Sequence, residues 1–182
     1  MNELKYRVIR SGRKSLSLQI KDGELLVRVP YRTRDGEITA FIERHRDWID
    51  KHYGAAVKRQ ARAVKLTVEE LKELADRALA VIPERVAHFA RLLNLSYGRI
   101  TIRNQRTRWG SCSGKGNLNF NCLLMLAPAE VLDSVVVHEL CHLKEMNHSS
   151  RFYALVEGIY PDYHRCHAWL KENGQALLAR LP

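Results

Sequence analysis

The stretch that most constrains how this chain can fold is "DSVVVHELCHLKEMNHSSRFY", residues 133–153. An apolar run leads into His138 and His142, which stand four apart. On a helix that spacing puts both imidazoles on one face, one turn from each other. His148 comes six residues after His142. A continuing helix would carry it to the far side, so the three rings meet only if the helix stops and the chain turns back. Asn147 tolerates the left-handed conformation and is the expected stop, and Ser149-Ser150 can cap a following helix.

Two histidines at this spacing reach a single metal ion. Glu139 is rotated about 100° from His138 around the helix axis. It can lean over a water at the ion without being a ligand. His138, His142 and His148 as ligands, with Glu139 as general base and a fourth position open, make a catalytic zinc site. A structural zinc would recruit a fourth Cys or His, and His164, Cys166 and His167 are at hand. A polar helix face with coincidental histidines is the third reading. Three imidazoles suit zinc and also accept other transition ions. Cys141 points away from His142 and reads as a small buried residue. The His-x3-His-x5-His spacing equals that of metzincins, but Glu145 stands where they have Gly, and Met146 precedes the third histidine.

The remaining chain supplies the frame. "KYRVIR", "SLSLQI" and "ELLVRVP" within residues 5–30 read as strands, with Asp22-Gly23 as a hairpin turn. Residues 36–53 carry an apolar stripe at helical spacing, and Gly54 is the expected stop. "AAVKRQARAVK", 55–65, either extends that helix or links two parts. Thr67 and Glu70 form a capping box for a long helix through Leu93 that contains Pro83. "GRITIRN", "TRWGSC" and "NLNFNC" read as three more strands, with "SGKG" as a turn. Helices then follow from Pro128, over 149–159 and over 163–180. The expected fold is α+β: a small sheet packed on a metal-binding helix in residues 66–182, and a basic β-rich subdomain in residues 1–65.

Charge is unevenly spread. Residues 1–65 hold 16 Lys/Arg against 8 Asp/Glu, and residues 66–182 hold 14 against 12. The excess is either a solvated basic face or a surface for an acidic partner such as nucleic acid. The N-terminus, "MNELKYRVIRSG", lacks the apolar core of a secretory signal, and no apolar run approaches membrane-spanning length. The expected compartment is the cytoplasm, where Cys112, Cys122, Cys141 and Cys166 stay free thiols, a Cys112–Cys122 bridge being the alternative.

The joint occurrence of Arg108-Trp109-Gly110-Ser111-Cys112, Asn119, the His-Glu-x-x-His helix, His148 with Phe152, and "YPDY…WL" resembles the YgjP-like metallopeptidase family, a relative of SprT-like proteins and compact gluzincin-type proteases. The resemblance implies a zinc-dependent peptidase-like domain acting on peptide or protein substrates. It carries His138, His142 and His148 over as ligands and Glu139 as general base. The SprT-like relatives add a protease recruited to DNA as a further reading.

Peptidases of this sort hold substrate as an added strand on a sheet edge, so a strand within 107–121 is the candidate edge. Trp109 either walls the cleft or packs in the core. Arg108 either meets an acidic group or makes a surface ion pair. Asn119 or Asn121 either bonds substrate backbone or closes a turn. Tyr153, Tyr163 and His164 follow the ligands and can fold back over the site. Tyr163 is the candidate for stabilising the oxyanion, packing of the C-terminal helices being the alternative. Glu157, or less favourably Asp133, is the candidate carboxylate to orient a ligand imidazole.

Overall fold

The computed structural model describes residues 6–21, 24–62 and 64–182. The chain divides into two compact units, Met1–Ala63 and Val64–Pro182.

In the first unit, strands β1 (Tyr6–Ser11), β2 (Ser17–Lys21) and β3 (Glu24–Pro30) form one sheet with β3 in the centre. β3 runs antiparallel to β2 and parallel to β1. Alternation along β3 sends Leu25, Val27 and Val29 to one face, where they are fully buried against Ile38, Ile42 and Ile49. The expected turn at Asp22-Gly23 lies outside the described residues. The stripe expected as one helix over 36–53 forms two, α1 (Asp35–Arg44) and α2 (Arg46–Arg62). The break is at His45. Its backbone N–H turns to the Ile42 carbonyl, while its ring nitrogen Nδ1 takes the Phe41 carbonyl at 2.8 Å. The ring bond accompanies the break and does not by itself cause it, since His52 Nδ1 meets the Trp48 carbonyl at 2.7 Å inside the continuous α2. Gly54 does not stop α2, because a glycine inside a helix is tolerated at a cost of about 1 kcal/mol. The basic segment after it is helical as far as Arg62.

The second unit starts with α3 (Val68–Leu92), capped reciprocally by Thr67 and Glu70 and continuous through Pro83. Strands β4 (Ile100–Arg103), β5 (Gly110–Cys112) and β6 (Leu118–Asn121) follow, in sheet order β4-β6-β5. β5 is therefore an edge strand, paired antiparallel to β6. The "SGKG" turn between them closes by Gly116 N–H donating to the Ser113 carbonyl, with Gly116 at φ +72°. A 3-10 turn over Cys122–Leu126, which periodicity does not reveal, leads into α4 (Ala129–Cys141). Helices α5 (Ser150–Ile159) and α6 (Tyr163–Leu178) complete the unit. The fold is α+β.

α4 is the axis of this unit. Val131, Leu132, Val135, Val136, Val137 and Leu140 are all buried. Three consecutive valines are poor helix formers, because β-branching restricts χ1. Burial on every side outweighs that: each fully buried side chain contributes roughly 1.5–3 kcal/mol. Among the described residues no helix is long and apolar enough to cross a membrane.

Candidate metal centre

α4 ends at Cys141, and His142 is its C-terminal cap. The chain then turns tightly: Leu143 N–H bonds the Leu140 carbonyl, and Lys144 and Glu145 N–H both bond that of Cys141. The stop thus comes before Asn147, whose backbone does not enter the left-handed region. Part of the reason is His142 itself, whose Nδ1–H donates to the Glu145 carbonyl at 3.1 Å and fastens the turn. Ser149 caps α5, its hydroxyl oxygen accepting from Phe152 N–H at 3.3 Å.

This turn brings the three imidazoles together. His138 Nε2 lies 3.2 Å from His142 Nε2 and 3.1 Å from His148 Nε2. One nitrogen of each ring lies within 4.8 Å of the others. Phe152 packs among them, its ring centroid 4.5 Å from that of His142, 4.8 Å from His138 and 4.9 Å from His148. Tetrahedral zinc–imidazole bonds of about 2.05 Å would separate the nitrogens by about 3.3 Å. The donor set fits. Because His142 spends its Nδ1 proton on a carbonyl, its Nε2 carries a lone pair, and that lone pair faces two other ring nitrogens. A cation at their meeting point satisfies all three. Burial first, then the neighbouring imidazoles, holds the His138 pKa down at about 3. Burial likewise lowers that of His142. Both rings are thus kept in the neutral form that binds metals.

The far nitrogen of His138, Nδ1, lies 2.9 Å from the buried Tyr163 hydroxyl. Glu157 instead bonds His164 at 2.8 Å, and Asp133 pairs bidentately with Arg85 at 2.7 Å. The groups bonded to the Nδ1 atoms of His138 and His142 are therefore a phenol and a backbone carbonyl, not the expected carboxylates. His164 and Cys166 stand apart from the triad: Cys166 Sγ faces the Glu130 carbonyl at 3.5 Å. Among the described residues no fourth histidine, cysteine or carboxylate joins the three. All four cysteines are free, and burial pushes the Cys141 thiol up to about 12.

Glu139 is 5% exposed and packs against the backbone of β5. A Cβ at Gly110 would lie 2.5 Å from its Oε1, so only glycine admits the carboxylate there. Burial raises the Glu139 pKa to about 8, with Arg108 pulling the other way. Beside Glu139 and His138 lies a cavity of about 260 Å³, walled by Arg108, Trp109, Val135, Tyr163, His167 and Leu170. Trp109 is partly buried in the core and lines the cavity as well, wedged 3.1 Å from where a Cβ on Gly174 would be. Asn121 is buried. It donates to the backbone carbonyls of Gln105 and Arg108, and so pins the loop that carries Arg108. Asn119 bonds Ser111 across the sheet at 3.2 Å and does not line the cavity.

Sequence reasoning passed over Gly110, Phe152 as a ring support, Val135 and Leu170, and it offered His167 as a fourth ligand rather than as part of the cavity wall. Gly110 had a signal, since it sits inside the Arg-Trp-Gly-Ser-Cys motif. The cavity wall on α6 had none, because it depends on how α6 docks.

A 60-residue stretch is 37% identical to the UTP pyrophosphatase of Escherichia coli (strain K12). That alignment covers 33% of this chain and 36% of that protein, so the chain matches only about a third of its relative's length. Two solved metallopeptidase zymogens overlap half of the chain. Jannalysin of Methanocaldococcus jannaschii has a TM-score of 0.45 at 20% identity, with 50% of this chain and 94% of that one covered. Abylysin of Pyrococcus abyssi has 0.46 at 21%, with the same coverage. The family model described as YgjP-like, metallopeptidase domain, matches residues 65–173, more than half of the chain, and the chain belongs to that family.

Proposed function

We propose that the chain is a zinc-dependent peptidase in which His138, His142 and His148 hold the ion and Glu139 is the general base. The observation that carries this is the convergence of three imidazole nitrogens, two pairs of them 3.1–3.2 Å apart, beside a buried carboxylate that is not among them. Zinc bound there supplies a Lewis acid that makes water nucleophilic near neutral pH and polarises a carbonyl. Glu139 is placed to take a proton from the attacking water and to pass it to the departing nitrogen. Gly110 keeps the carboxylate against β5, and the edge of β5 is where an extended substrate adds as a further strand. Tyr163 acts as a positioning residue: its hydroxyl accepts from His138 Nδ1–H and leaves Nε2 for the ion.

The test is Glu139→Gln. The variant should hold one zinc per chain and lose peptide cleavage by about 10²–10⁴-fold. If zinc is structural, stripping it unfolds the domain and Glu139→Gln changes nothing in function.

A second reading is favoured by the likeness to UTP pyrophosphatase and by Arg108 in the cavity wall: the same centre hydrolyses a phosphoanhydride of a nucleotide. Assaying wild type and Glu139→Gln on UTP and on peptides side by side separates the two.

A further inference from the structure

The cavity has a polarity of its own. Its two exposed wall residues are Arg108 and His167, while Val135 is buried and Trp109 and Leu170 are partly buried. It thus has the Arg108 guanidinium at its exposed rim and apolar side chains below. At about 260 Å³ it falls below the roughly 300–1,000 Å³ of pockets that take whole small molecules, and has room for one side chain. Among the described residues the Arg108 guanidinium has no ion pair or hydrogen bond, although Asn121 fixes the backbone that carries it. A planar, permanent cation held ready at the mouth of an apolar pocket is suited to a carboxylate.

Position tells which part of a substrate enters. The cavity shares Glu139 and His138 with the metal centre, and neither His142 nor His148 lines it. Glu139 hands its proton to the departing nitrogen, so the residue on that nitrogen lies on the Glu139 side. If that residue is the last of the chain, its α-carboxylate is two bonds from the nitrogen, next to Arg108. We infer that the site removes residues from the carboxy terminus of peptides: Arg108 receives the free α-carboxylate, and the floor of Trp109, Val135 and Leu170 takes an apolar side chain. The inference rests on the peptidase reading above. The reaction balances as hydrolysis. One water adds, a C–O bond forms and the C–N bond breaks. The new carboxylate keeps the water's oxygen, and the released amino acid carries the proton relayed by Glu139.

The experiment compares two blocked peptides that both end in leucine, one as the free acid and one as the amide, on the zinc-loaded protein. Wild type should prefer the acid, and Arg108→Ala should lower the acid-over-amide ratio of kcat/KM by about 10- to 100-fold, mainly through KM. Arg108→Lys should restore much of the ratio. Zinc content and melting temperature confirm that the variants are folded. As a readout free of turnover, zinc-loaded Glu139→Gln should bind N-acetylleucine more tightly than N-acetylleucinamide in calorimetry. Equal cleavage of acid and amide by wild type, or an Arg108→Ala ratio equal to that of wild type, overturns the inference alone. So does an Arg108→Ala variant that loses UTP hydrolysis and keeps its acid preference, which would assign Arg108 to phosphate. No cleavage of any peptide by the zinc-loaded protein overturns the peptidase reading itself, and the inference with it.

Discussion

Gly110→Ala probes the candidate site without replacing a titratable group or an imidazole. The new methyl would sit 2.5 Å from Glu139 Oε1, 2.7 Å from Cγ and 2.8 Å from Cδ. Ordinary contact begins near 3.4 Å, so the side chain must retreat by about 0.6–0.9 Å along its whole length. Glu139 is buried on a helix packed on every side, and the retreat has to come from rotation of its own side chain. Overpacking of this kind costs about 1–3 kcal/mol of stability. Displacing a catalytic group by about 1 Å costs on the order of 10²-fold in rate. The three atoms nearest to this methyl all belong to Glu139 and none to the histidines proposed as ligands, so zinc should remain at one per chain. The assay is peptide hydrolysis by the zinc-loaded variant, with denaturant unfolding and metal analysis on the same preparation. Full activity at unchanged stability would refute the reasoning, since it would mean that the carboxylate does not need the position seen here. Loss of zinc with the fold intact would refute it too, by coupling β5 to the ligands rather than to Glu139.

Tyr163→Phe removes the partner of His138 Nδ1, and zinc affinity measured by chelator competition should fall about 10- to 100-fold while the fold holds. Phe152→Ala takes away the ring that packs against all three imidazoles, and should cost about 3–5 kcal/mol in denaturant unfolding of the metal-free protein. The pH dependence of metal-free stability has two opposing arms. From pH 6.5 down to about 3, the unfolded chain takes a proton on His138 that the folded chain refuses, so stability falls as pH falls. From pH 4.5 up to about 8, the folded chain keeps a proton on Glu139 that the unfolded chain has lost, so stability falls as pH rises. These contributions cancel between pH 4.5 and 6.5, leaving a plateau flanked by slopes of at most about 1.4 kcal/mol per pH unit. In unfolding titrations, Glu139→Gln should flatten the upper arm and His138→Gln the lower one.

Much of the fold was legible because its signals are local. The Thr67–Glu70 box starts α3 where expected, Ser149 caps α5, and the strands fall on the stretches that periodicity marks, β1 and β2 each running one residue beyond. The misses have identifiable competitors. The periodic stripe breaks at His45, whose backbone N–H turns to the Ile42 carbonyl, a local tightening that an apolar pattern does not register. Asn147 looked like the helix stop on propensity, but the His142–Glu145 bond closes the turn earlier. At the site, spacing alone brought the three histidines to one helix and its turn. Tyr163 beside His138, the cavity wall from α6 and the seating of Glu139 on Gly110 arise from packing between segments far apart in sequence.

The most direct test of the account is X-ray absorption at the zinc edge of the reconstituted protein, for wild type and Glu139→Gln. Three imidazole nitrogens at about 2.0–2.1 Å with one further light atom, the same in both proteins, is the predicted result. A sulfur scatterer, fewer than three imidazoles, or a first shell that changes when residue 139 becomes glutamine would contradict it.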